Sequence, residues 1–162
     1  GKKLLFMGTE IAPYQEWNIY EQLDWSLTET PERRGLARYF EDMGNVYRSR
    51  PCLWEMDHEP GGMEWLDTED REQSILSYVR RSSRDYLVVL LNLTPVPRRG
   101  YRFGALESRP YVSALNSDDV AYGGSGFCTA TRFEVEPVPW HRRQQSFTID
   151  LPPLAAVVLA PE

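Results

Sequence analysis

Glu10 stands just past the apolar run Leu4-Leu-Phe-Met7, across Gly8 and Thr9. A carboxylate at the mouth of a buried strand can move a proton or face a sugar, and it can equally fix a loop by accepting backbone N–H bonds. No second carboxylate follows it at a defined spacing, so the sequence supplies no acid–base pair. Trp17 and Trp25 lie in the polar stretch beyond. Their ring faces suit the C–H faces of pyranoses, and they suit packing against a neighbouring helix as well. Trp54, Trp65 and Trp140 raise the same question. A buried Trp is the commoner state in a small all-β domain. Trp140 has the best claim to a ligand-facing ring, because Pro137-Val-Pro-Trp-His reads as an exposed loop.

Other chemistries are excluded by composition and spacing. His58 and His141 are single and far apart, and Cys52 and Cys128 form no Cys-x-x-Cys pair. Neither metal nor cofactor is expected. Tyr122-Gly-Gly-Ser-Gly-Phe127 opens no helix, so it reads as a flexible loop rather than a phosphate cradle. The net charge of -6 speaks against nucleic acid and anionic membranes as partners. Arg98-Arg99 and Arg102 then read as a polar loop or an interdomain contact. The longest apolar runs, Tyr86–Leu91 and Leu154–Ala160, fall far short of the roughly 20 residues of a membrane span. Two cysteines without a disulfide framework point to a reducing, cytoplasmic setting.

The elements that must position these residues change character midway. Leu4–Met7, apolar without alternation, predicts a strand buried on both faces. Thr30-Pro31-Glu32 predicts a helix start, with an N-cap, Pro at the first position and an acid in the first turn. Leu36, Tyr39, Phe40, Met43, Val46 and Tyr47 continue it as a helical stripe, and Pro51 ends it. Pro60-Gly61-Gly62 marks a boundary. Strands are expected around Ile75–Arg81, Tyr86–Leu91, Tyr101–Phe103, Tyr111–Leu115, Phe127–Phe133, Ser146–Leu151 and Ala155–Leu159, with the first two forming a hairpin. Asp67–Glu72 reads as a solvated turn. The chain therefore divides into 1–60, one strand–loop–helix unit, and 61–162, an all-β antiparallel sandwich.

Three segments, in this order, carry a family resemblance. They are Gly1-Lys-Lys-Leu-Leu-Phe-Met-Gly-Thr-Glu10, then Glu16-Trp17-Asn18 with Leu23-Asp24-Trp25, and Asn92-Leu-Thr-Pro-Val-Pro-Arg-Arg-Gly-Tyr-Arg-Phe-Gly104. Leu151-Pro-Pro-Leu-Ala155 adds to them. The whole chain resembles the C-terminal part of bacterial 1,4-alpha-glucan branching enzymes of the alpha-amylase superfamily. It departs at Ile11–Gln15, where a Gly-containing turn is more usual. The resemblance implies a mixed fold: the last strand–helix unit of a (β/α)8 barrel, then the β sandwich. It implies a parent that cuts α-1,4-glucan and forms α-1,6 branches with retention, using two carboxylates about 5–5.5 Å apart. Those carboxylates would lie upstream of Gly1, so no catalytic residue is expected in this chain. Glu10, Trp17, Trp25 and Trp140 are the expected substrate-binding residues. The expected partners are an α-glucan and the rest of the barrel. Another enzyme of the superfamily, or a stand-alone glucan-binding module, remains the alternative.

Overall fold

The computed structural model describes residues 3–162. Helix α1 runs Pro31–Ser49. Pro31 opens it because the first helical N–H has no intrahelical partner to lose. The Thr30 hydroxyl, expected to cap α1, instead donates backwards to the Leu27 carbonyl at 3.1 Å. The 3-10 turn Trp25–Glu29 ends there and offers the nearer acceptor. At the other end Arg50 is extended, and Pro51 begins a further 3-10 turn, Pro51–Leu53.

Eight strands follow: β1 (Met63–Asp67), β2 (Ile75–Arg81), β3 (Tyr86–Asn92), β4 (Arg98–Gly104), β5 (Tyr111–Asn116), β6 (Arg132–Phe133), β7 (Ser146–Leu151) and β8 (Ala155–Pro161). They form an antiparallel six-stranded sheet in the order β1-β2-β3-β8-β5-β6 and a two-stranded sheet, β4-β7. The β2–β3 hairpin falls where the sequence puts it.

Two apolar layers flank the large sheet. On its inner face Tyr86, Val88 and Leu90 of β3, Tyr111 of β5, and Val157 and Leu159 of β8 meet Phe103 of β4 and Phe147, Ile149 and Leu151 of β7. The Phe147 ring lies 5.0 Å from that of Tyr111 and 6.0 Å from that of Phe103. On the outer face Leu87, Val112, Ala114, Val158 and Ala160 meet Val46 of α1, with Cys52 and Leu53 just beyond it. Successive side chains of a strand point to opposite faces. The unbroken apolar run of β3 therefore feeds both layers.

Helix and sheet are locked at a second place. A Cβ on Gly35 would come within 2.5 Å of the Tyr122 carbonyl oxygen, so only glycine permits this approach. The Tyr122 hydroxyl donates to Asp42 at 2.8 Å, and its ring stands edge-on to Tyr39 at 5.3 Å. The loop Tyr122–Phe127, expected to be free, is tethered. The Asp118 carboxylate accepts the Ser125 N–H and hydroxyl, both at 2.8 Å, and the Phe127 N–H at 3.0 Å.

Three expectations change. Leu4–Met7 is not a strand: no described segment pairs with it, and the backbone turns at Met7, whose φ is 43°. Its side chains are exposed, so the buried barrel strand is not formed within the described residues. β1 was not foreseen, because Glu64 and Asp67 interrupt its apolar residues. Phe127–Phe133 yields only Arg132–Phe133 as strand, since just two residues of β5 face it. Of the α1 stripe, Val46 joins the outer layer, while Leu36, Tyr39, Phe40, Met43 and Tyr47 stay half-buried.

Leu87 is fully buried between helix and sheet. Leu87→Ala should lower stability by about 2–5 kcal/mol in urea denaturation. The exposed Leu93→Ala should change it by no more than about 0.5 kcal/mol. Equal effects would contradict the two-faced burial of β3.

Candidate functional site

The segment from Phe6 to Leu27 is built from local hydrogen bonds. The Thr9 hydroxyl donates to the Phe6 carbonyl at 2.6 Å, and the Ile11 N–H to the Gly8 carbonyl at 2.9 Å. This 3-10 turn needs Gly8 at φ 85° and buries Ile11. The Ala12 carbonyl accepts from Nη2 and Nε of Arg33 at 3.1 and 3.3 Å, and that guanidinium lies 4.1 Å from the Tyr14 ring centre. Asp24 accepts the Ser26 N–H at 3.1 Å and its hydroxyl at 2.5 Å. Trp17 stands edge-on to Phe6 at 5.4 Å.

These contacts enclose a cleft of about 120 Å3, lined by Met7, Tyr14, Trp17 and Leu23 with Glu16, Glu21 and Asp24 among its polar groups. Of the four expected binding residues only Trp17 lines it. Glu10 sits half-buried on the 3-10 turn, and no backbone N–H donates to its carboxylate among the described residues. Trp25 opens the next 3-10 turn, which lies against α1. Trp140 belongs to the loop before β7, where it bridges to Arg143.

All five tryptophans are between 43% and 57% exposed. The expectation that Trp54 and Trp65 would be buried is corrected. Tyr111, Phe103 and Phe147 fill the space between the sheets. Trp65 projects from the edge strand β1, where its ring meets Tyr78 edge-on at 5.7 Å.

A second polar locus was not foreseen. Nε2 of His141 lies 3.3 Å from Oδ2 of Asp67, and both side chains are nearly buried. Nδ1 accepts the Gly104 N–H at 3.4 Å, so the neutral ring, with its proton on Nε2, satisfies both contacts. Burial pushes the His141 pKa down, against the opposing pull of Asp67 and Asp70. The Tyr101 hydroxyl donates to Asp70, and burial followed by that bond pushes its pKa up. Glu64 pairs with Arg81 at 2.8 Å and with Arg143. Burial acts to raise the Glu64 pKa, but the two guanidinium groups hold it low. No hydroxyl or thiol is hydrogen-bonded to His141 among the described residues; its partners are the Asp67 carboxylate and the Gly104 N–H. Among the described residues no cluster of His, Cys, Asp and Glu is arranged for a metal ion, and no helix is long and apolar enough to cross a membrane.

The His141 shift has a defined sign. An unfolded His binds a proton at about pH 6.5, whereas the folded one resists it to lower pH. Stability should therefore fall as pH drops from about 7 towards about 5, and His141→Gln should flatten that fall in urea midpoints across the range. Further loss below about pH 5 belongs to carboxylates such as Glu64, whose partners favour the charged form. An unchanged slope in His141→Gln would contradict the neutral, buried ring.

The chain matches known proteins along its whole length. It is 47% identical to the 1,4-alpha-glucan branching enzyme GlgB of Rubrobacter xylanophilus over 163 residues, covering 99% of this chain and 22% of that protein. It is 45% identical to the enzyme of the same name from Methylococcus capsulatus, covering 99% and 22%. For that of Halothermothrix orenii the identity is 41%, covering 99% and 26%. The chain thus spans about a quarter of the length of the curated relatives it matches. Residues 65–162, from β1 to the end of the chain, match the model of the alpha amylase C-terminal all-beta domain. The antiparallel strands described above agree with an all-beta domain, and the chain belongs to that family.

Proposed function

We propose that this chain is the C-terminal portion of a 1,4-alpha-glucan branching enzyme, an enzyme that cleaves α-1,4-glucan and transfers the freed segment to a 6-hydroxyl. The observation that carries the proposal is identity of 41–47% along 99% of the chain with proteins of that name. Residues 1–60 supply the closing loop and helix of the catalytic barrel, with Leu4–Met7 pairing as its last strand only beside the rest of the barrel, and residues 61–162 are the β domain that braces it. The exposed side chains of Leu4, Leu5, Ile19 and Tyr20 supply apolar surface for the barrel to cover. Barrel active sites lie on loops at the C-terminal ends of strands. By that rule Glu10, Trp17 and Trp25 are assigned in this reading to the glucan-binding rim, with Trp140 as a further glucan contact. The carboxylate nucleophile and acid are contributed by other parts of the barrel. A cytoplasmic setting with an α-glucan as substrate fits this reading.

The 162-residue chain alone should produce no change in iodine staining of amylose and no new α-1,6 linkages by proton NMR. In an enzyme that also carries the barrel, Trp17→Ala should lower kcat/KM about tenfold, mostly through KM. Branching by the chain alone, or an unaltered Trp17→Ala enzyme, would contradict the proposal.

A further inference from the structure

The chain passes from the 3-10 turn Thr9–Ile11 towards the wall of the Trp17 cleft at Ala12. There its backbone is left-handed, with φ 44° and ψ 65°. Alanine avoids that region because its Cβ comes too close to the following carbonyl, whereas glycine enters it freely. Pro13 adds to the conflict, since a residue before proline is pushed towards extended backbone. Ala12 is exposed, so burial of its methyl group does not hold it there. A conformation disfavoured twice persists only where surrounding contacts impose it.

Arg33, in the first turn of α1, imposes it. Its Nη2 and Nε donate to the Ala12 carbonyl at 3.1 and 3.3 Å, which fixes the direction of the peptide joining Ala12 to Pro13. The same guanidinium lies over the Tyr14 ring, 4.1 Å from its centre. Among the described residues it makes no other polar contact. Pro13, Tyr14, Gln15, Glu16 and Trp17 then follow in unbroken order along the cleft. A change of direction at Ala12 is therefore carried to Trp17.

We propose that Arg33 is a positioning residue for glucan binding, which holds the left-handed Ala12 and the stacked Tyr14 so that Trp17 faces the cleft. The role rests on the branching-enzyme reading, in which Trp17 belongs to the glucan-binding rim. Arg33 acts on the grip on the sugar chain and not on the carboxylates that break the linkage. Lysine cannot take its place. It keeps the charge but lacks the flat fork that reaches one carbonyl with two N–H groups while stacking on an aromatic ring.

The test uses an enzyme that also carries the barrel, with amylose as substrate. Arg33→Ala should raise KM about fivefold and leave kcat within about twofold of wild type. Arg33→Lys should give most of that rise. Arg34→Ala removes the same charge from the next position, where the side chain donates to the Glu29 carbonyl, and should give none. Ala12→Gly added to Arg33→Ala should bring KM back to within about twofold of wild type, because glycine keeps the left-handed turn without help. A general loss of stability would instead lower the apparent kcat with the folded fraction and leave KM in place. Circular dichroism melts check that each variant is folded, and if Arg33→Ala unfolds the same split is read in Arg33→Lys. An unchanged KM beside a wild-type enzyme that branches would overturn the role of Arg33 and leave the branching reading intact. A fall in kcat alone would do the same. A rise in KM that Ala12→Gly does not relieve would overturn the strained turn as its cause. A wild-type enzyme that makes no branches would overturn the branching reading, and this role with it.

Discussion

Strands β3 and β8 lie side by side at the centre of the large sheet, with side chains leaving both faces into apolar surroundings. The inner faces meet the aromatic wall of β4 and β7. The outer faces meet Val46 of α1 and the buried Cys52. This double burial ties the helix to the β domain. If either face were polar, the chain would split into a loose helix and a sandwich with one bare side. The close approach of Gly35 to the Tyr122 carbonyl fixes the other end of the same helix. From α1 the fixed geometry passes back through Arg33 to Ala12 and Tyr14, and so to the Trp17 cleft. The loop bearing the candidate glucan contacts is thus positioned from the sheet outwards.

The charged groups follow a related logic. Glu64 shares two arginines, Asp67 holds His141 and Asp70 receives the Tyr101 hydroxyl. Asp57 and Asp85 are paired with Arg80 and Arg50 at 2.7 and 3.1 Å. Half-buried carboxylates in this chain are mostly matched, as their desolvation requires. These pairings tie the strands and loops that carry them to one another.

Local signals in the sequence were enough for several elements. Pro31, the spacing of Leu36 to Tyr47 and Pro51 mark α1, and Tyr86–Leu91 stands out as a central strand because its apolar run has no polar alternate. Pairings between distant parts of the chain left no local trace. β8 inserts between β3 and β5, and Arg143 reaches Glu64 from 79 residues away. β1 was hidden by its charged residues, which look like a turn until Arg81, Arg143 and His141 are seen to neutralise them. The exposure of the tryptophans has a further cause. Composition says how many large rings exist, whereas the narrow space between the sheets decides that Tyr and Phe fill it and Trp stays outside. Leu4–Met7 carries the composition of a buried strand, yet a ladder needs a neighbour, and the described residues provide none.

In the proposed reading, the exposed apolar side chains between Leu4 and Trp25 are one side of a contact with a catalytic barrel. Hydrogen–deuterium exchange tests it most directly, comparing this chain alone with an enzyme that carries the barrel as well. The account predicts strong added protection at Leu4–Trp25 and along the half-buried stripe of α1, with β3 and β8 unchanged. Equal exchange in the two proteins over Leu4–Trp25 would contradict it.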